Sequence, residues 1–197
     1  IDPPDGRIPA VTDRARARHV TPGTFGYGPF NTIDDFSLYD RCITRGVVGS
    51  FGPAVYGNGA RIVQTADTVA ISYEMVHDTR VIPLDQKPHL GGAIRQYLGD
   101  ARGHWEGDTL VVDTVGFNEA GWIGFGSFPQ TEKLHVTERF RRTDLGHLER
   151  EVTFDDPTTF KKPWTIWRVS QLAPKDLEVL EYVCAENNKD VQHYVGK

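Results

Sequence analysis

The sequence predicts an all-β domain, an antiparallel up-and-down, lipocalin-like β-barrel carrying an irregular N-terminal arm. Three observations carry that expectation. From Arg61 onward, runs of β-branched and aromatic residues alternate with polar ones at the period of a strand. The links between runs are short and rich in turn residues: Ala66-Asp67, Glu106-Gly107-Asp108, Asp144-Leu145-Gly146 and Pro174-Lys175-Asp176. Nowhere does the chain offer a long amphipathic helix to cover a sheet, which disfavours α/β and α+β folds.

Residues 1–60 are expected to form the arm, because Pro and Gly are frequent there and periodicity is weak. Asp2-Pro3-Pro4-Asp5-Gly6 and Thr21-Pro22-Gly23 are turn or polyproline signals. Thr12–His19 can make one or two helical turns capped by Thr12, and Ser37–Ile43 a second short helix. Residues 61–197 supply the barrel strands: Arg61–Thr65, Thr68–His77, Thr79–Pro83, Ile94–Glu106, Thr109–Phe117, Leu134–Arg142, His147–Phe154, Trp164–Leu172 and Leu177–Cys184. Short links make consecutive strands antiparallel neighbours, and closing them into a barrel would remove exposed edges. Two longer connectors, Leu84–Ala93 with Pro88, His89 and Gly91-Gly92, and Asn118–Lys133 with Trp122 and Phe128-Pro129, have the length of binding loops.

Composition narrows the partners. With 39% hydrophobic and 25% charged residues in 197, one ordinary core is expected. The formal net charge of -5 argues against nucleic acid, which needs clustered Lys and Arg. The basic run Arg139-Phe140-Arg141-Arg142 is flanked by acids and fits a solvated strand face. No stretch reaches the roughly 20 apolar residues of a membrane helix, so membrane insertion is not expected. The chain opens at Ile1-Asp2-Pro3-Pro4 as a trimmed start would. Its cysteines, Cys42 and Cys184, lack zinc spacing; they form either a long-range disulfide in an oxidising compartment or a pair of reduced thiols.

Strand alternation sorts side chains by face. Val69, Ile71, Tyr73 and Met75 share a face whose next member is His77. Glu138 falls between Val136 and Phe140, and Arg150 between Leu148 and Val152. Asp113 joins them if Val111, Val115 and Phe117 point inward, but Leu110, Val112 and Thr114 make an equally apolar face. Charges at inward positions must pair or line a wet cavity. One outcome is a structural network, Glu138 with Arg150 on a neighbouring strand. The other is a polar cavity in which Glu138, with a raised pKa, and His77 do acid–base work. Glu74-to-His77 and His135-to-Glu138 spacings put imidazole and carboxylate on opposite strand faces, so neither makes a metal site alone. The glycines of Gly121–Gly126 lack the Lys-Ser/Thr ending of a phosphate loop, and no Gly-x-Ser-x-Gly elbow occurs.

Several strings are longer than chance alternation explains: Asp2-Pro3-Pro4-Asp5-Gly6-Arg7-Ile8-Pro9, Arg41-Cys42-Ile43-Thr44-Arg45-Gly46, the run Glu74 to Asp85, Trp105-Glu106-Gly107-Asp108-Thr109-Leu110-Val111-Val112, Leu134-His135-Val136-Thr137-Glu138-Arg139-Phe140, and the closing Gln192 to Lys197. On these the chain resembles, over nearly its whole length, a family of uncharacterised exported proteins abundant in acidobacteria and sphingomonads. The resemblance implies a periplasmic or secreted protein whose signal segment is absent from this chain, in keeping with a Cys42–Cys184 bridge. Many relatives read His-Pro-His-Ser/Thr-Glu where this chain has Phe128-Pro129-Gln130-Thr131-Glu132, so any role of those histidines is lost here. The matching polar positions are His77, Arg80, Asp113, Glu138 and Arg139.

The functional expectation is a cofactor-independent lyase, isomerase or hydrolase acting on a small, partly aromatic metabolite in the barrel. His77 is the expected acid or base and Glu138 its partner, with Asp113 and the Tyr73 hydroxyl beside them. Arg102 or Arg150 would stabilise negative charge, and Trp105, Trp122 and Phe128 would contact the substrate. One alternative is a lipocalin-like carrier of a small apolar ligand; another is a metal-dependent enzyme using His77 with His89, His104 or His135. A homo-oligomer is compatible with all three.

Overall fold

A computed structural model of the chain describes residues 2–18, 36–49, 57–123 and 128–183. Among the described residues, helix is confined to two short pieces, α1 (Asp13–Ala17) and α2 (Gly46–Gly49). Thr12 caps α1 as expected, its Oγ1 accepting from the Ala15 N–H at 3.1 Å. The expected helix over Ser37–Ile43 is instead a series of turns. None of the described helices is long and apolar enough to cross a membrane.

The strands are β1 (Ala60–Gln64), β2 (Thr68–Tyr73), β3 (Thr79–Pro83), β4 (Asp100–Glu106), β5 (Thr109–Val115), β6 (Trp122–Ile123), β7 (Phe128–Pro129), β8 (His135–Arg142), β9 (His147–Asp155) and β10 (Trp164–Gln171). All pairings between them are antiparallel, as the short links demand. They do not close. One sheet runs β1-β2-β3, a second runs β10-β9-β8-β5-β4, and β6-β7 is a small pair.

The all-β, antiparallel part of the expectation holds, while among the described residues closure into a barrel is not seen, and two seams stay open. Between β3 and β4, the segment around Pro88, Gly91 and Gly92 leaves the extended state, and β4 begins at Asp100 rather than Ile94. No ladder joins β3 to β4. At the far end, Leu177 to Val183 makes no strand, and Cys184 lies outside the described residues. The free edge of β10 instead takes one residue of the N-terminal segment, Asp2, which exchanges 2.9 Å backbone bonds with Thr165.

The inner faces of the two larger sheets share a core. Val69, Ile71, Tyr73 and Ile82 from β2 and β3 pack on Ala101, Leu110, Val112 and Phe140. A second cluster, with Val136, Val152, Phe154, Phe160, Trp164 and Ile166, fills the β8–β10 end, where Phe154 stacks on Trp164 at 4.4 Å. Leu110, Val112 and Thr114 are the buried side of β5, so Asp113 faces outward.

Candidate functional site

The inward polar residues form a sealed network rather than a cavity lining. Glu138 sits opposite Val112 and Val152 in register and has no exposed surface. Arg80, projecting from β3, donates to both of its oxygens, and Arg150, diagonally placed on β9, donates from Nε at 2.9 Å and also from Nη2. Arg150 further donates to the Val47 carbonyl at 3.1 Å. Burial pushes the Glu138 carboxyl up, but Arg80 and Arg150 outweigh it and hold it below the usual carboxylate range. The expected raised pKa of Glu138 is thus reversed. Tyr73 is buried against the same pair; burial raises its hydroxyl pKa while Arg80 and Arg150 oppose that.

His77 does not join this group. Strand β2 ends at Tyr73, and Val76 and His77 both adopt positive φ, 65° and 52°, which turns the chain out of the sheet. His77 is exposed, and its Nε2 accepts the Tyr182 backbone N–H at 3.1 Å. The alternation that placed it inward fails because the strand stops before it. Trp122 and Phe128 also lie elsewhere: they belong to β6 and β7, and Phe128 packs edge-on against Phe160 at 5.2 Å.

A different constellation forms at β4, an edge of the five-stranded sheet. There the Leu84–Ala93 connector folds over the strand and leaves a cleft of about 630 Å³, lined by Leu84, Lys87, Pro88, His89, Arg102, His104, Trp105 and Asp113 among others. Gly103 lets the connector come close: a Cβ there would meet Leu84 Cδ2 at 2.7 Å and Ile82 Cγ2 at 2.9 Å. His89 lies between two carboxylates, Nδ1 3.0 Å from Asp100 Oδ2 and Nε2 2.7 Å from Asp113 Oδ2. The other Asp113 oxygen takes Nε2 of His135 from the neighbouring strand β8. Asp100 also accepts the Leu90 N–H at 2.9 Å and pairs with Arg102 at 3.2 Å.

The result is a chain of paired polar groups: Arg102, Asp100, His89, Asp113, His135. The hydrogen bond from His135, followed by the opposing effect of burial and the bond from His89, leaves the Asp113 carboxyl below its ordinary value. The same bond, against partial burial, raises the His135 imidazole. Asp113 and Arg102 were expected at a site and meet here, with Trp105 on the cleft wall; Arg150, Glu138 and Tyr73 are inside the core. His89 and His135 were named in the sequence only as metal-ligand candidates. Among the described residues, no three His, Cys, Asp or Glu side chains are arranged to hold a metal ion. His77 meets none of the three histidines proposed as its co-ligands in any hydrogen bond or ring contact described here.

Comparison of the chain with family models, with curated proteins and with solved structures returns no match.

Proposed function

We propose that this chain is a cofactor-independent enzyme performing acid–base chemistry, as a lyase, isomerase or hydrolase, on a small, partly aromatic metabolite in the β4 cleft. The observation that carries the reading is one carboxylate, Asp113, shared by two imidazoles at the wall of a cleft of about 630 Å³, a size typical of small-molecule sites. His89 is the group that exchanges a proton with the substrate. Each of its ring nitrogens lies within hydrogen-bond distance of a carboxylate oxygen, so a substrate atom displacing one carboxylate meets a ring nitrogen placed to pass a proton. Asp100 and Asp113 act by positioning that ring. Arg102, beside Asp100, supplies positive charge where negative charge develops, and Trp105 supplies a ring face.

The second reading is a carrier, favoured by the open cleft with Trp105 on its wall, in which the paired groups only orient a ligand. Turnover of p-nitrophenyl acetate separates the two. Asp113→Asn and His89→Gln should each lower it by about a hundred-fold, the scale of one acid–base contribution, while His77→Ala stays within about two-fold. Equal rates in all variants contradict the enzyme and leave the carrier.

The motifs shared with exported proteins support a periplasmic or secreted setting. A Cys42–Cys184 bridge belongs to the same proposal, supported by Cys42 not being a free thiol. By the chain-entropy account such a long-range bridge contributes about 4–5 kcal/mol.

A further inference from the structure

We infer that the β4 cleft selects a neutral ring bearing several hydroxyl groups, a sugar or a polyhydroxylated phenol, over an anion. The inference rests on the acid–base reading of the same cleft and names the substrate class for it.

Charge compensation on the cleft wall is the first support. Each cationic or protonatable side chain there already has a carboxylate partner: Lys87 with Asp85 at 2.8 Å, Arg102 with Asp100 at 3.2 Å, His104 with Glu106 at 3.2 Å, and His89 with Asp100 and Asp113. An anionic ligand would have to approach those carboxylates as well as the cations, and like charges brought together weaken binding. The Arg102–Asp100 pair is also little hydrated, with side chains 19% and 11% exposed, so Asp100 offsets part of the Arg102 charge that a ligand carboxylate would meet. A neutral ligand has no such conflict.

Hydrogen-bond matching is the second. Acceptor and donor follow one another on the wall, the Asp113 carboxylate standing opposite the Arg102 guanidinium in the β5–β4 register. A hydroxyl both donates and accepts, so adjacent hydroxyls on one ring can meet both. A ligand carboxylate only accepts and matches one of them.

The third is Trp105. Its indole is 45% exposed on the cleft wall, next to Leu84 and Pro88, and offers a flat apolar face to the CH face of a sugar or the π face of a phenol. An apolar surface beside paired polar groups suits a ligand with one greasy face and a hydroxylated rim.

Saturation-transfer NMR on the intact protein tests this with catechol, cellobiose and benzoate. The first two are the neutral phenol and sugar, and benzoate is a single-ring anion of similar size to catechol. At least one neutral probe should bind with Kd below about 10 mM. Its affinity should change by less than about two-fold between roughly 20 mM and 500 mM NaCl. Trp105→Ala should weaken it by about five-fold or more, and Trp167→Ala, on the distant strand β10, should not. Benzoate should be the weaker ligand. Which neutral probe wins identifies the source of the hydroxylated ring. Benzoate binding tightest, or neither neutral probe binding, overturns the inference. Salt-insensitive neutral binding without any turnover would contradict the enzyme alone, whereas turnover with benzoate bound tightest would contradict the ligand class alone.

Discussion

Arg80 on β3 places Nη1 3.1 Å from Oε1 and Nη2 2.5 Å from Oε2 of Glu138 on β8, so one bidentate pair ties the three-stranded sheet to the five-stranded one. All three members of the Arg80–Glu138–Arg150 network are nearly or fully buried. Glu138→Gln would leave two buried guanidiniums without their shared counter-charge and should cost about 3–5 kcal/mol in urea unfolding. Replacing the whole network by Arg80→Met, Glu138→Leu and Arg150→Met should cost less than that single change, since no buried charge is stranded. The reverse order would mean that the intact network stabilises the fold more than apolar side chains in its place would.

The same network sets the acid limb of stability. The Glu138 pKa is lowered in the folded protein, so its contribution is present above the unfolded value of about 4.3 and is lost as pH falls through the lower folded value. Urea midpoints measured downward from about pH 5 should therefore fall more steeply for the native chain than for Glu138→Gln.

Asp113 and His135 respond in opposite senses. The His135 pKa is raised, so its contribution is present below about pH 6.5 and fades as pH rises through the folded value. The Asp113 pKa is lowered, so its part is present above about pH 4 and fades on acidification. The pair should stabilise fully only between about pH 4 and pH 6.5. In Asp113→Asn the urea midpoint should lose that plateau.

Gly103 should tolerate no side chain. Gly103→Ala puts a methyl 2.9 Å from Cγ2 of Ile82, which is fully buried, and 2.7 Å from Leu84. Overpacking of this kind costs about 1–3 kcal/mol. The displaced connector should carry His89 away from Asp113, so activity in the β4 cleft should fall along with the thermal midpoint.

Strand identity was legible because turn residues bracket β3, β5, β8 and β9 closely; β3 has the boundaries expected from Thr79–Pro83. Closure was not legible. A strand pattern says which residues alternate but not whether two edges pair, and the β3–β4 seam is broken by a connector whose path depends on Gly103 and His89. The Glu138–Arg150 pair followed from alternation, and so did the option of a structural network. Arg80 was missed as a member, although its place two residues before buried Ile82 on one face of β3 carried the signal. The β4 cleft needed long-range register: β5 pairs with β8 across the β6–β7 excursion, setting Asp113 opposite Thr137, next-but-one to His135. His77 misled because Val76 and His77 adopt a left-handed conformation that a β-branched residue such as Val76 rarely takes, so the strand pattern gave no sign of the turn.

That Asp113 holds His89 for acid–base work in the β4 cleft is tested most directly by p-nitrophenyl acetate turnover, with the NMR titration of His135 reporting whether the Asp113 carboxylate is in place. The native protein should show a His135 midpoint above about 6.5 together with turnover. In Asp113→Asn the His135 midpoint should move down and turnover should fall by about a hundred-fold. A His135 midpoint and a turnover rate that are the same with and without the Asp113 carboxylate would contradict it.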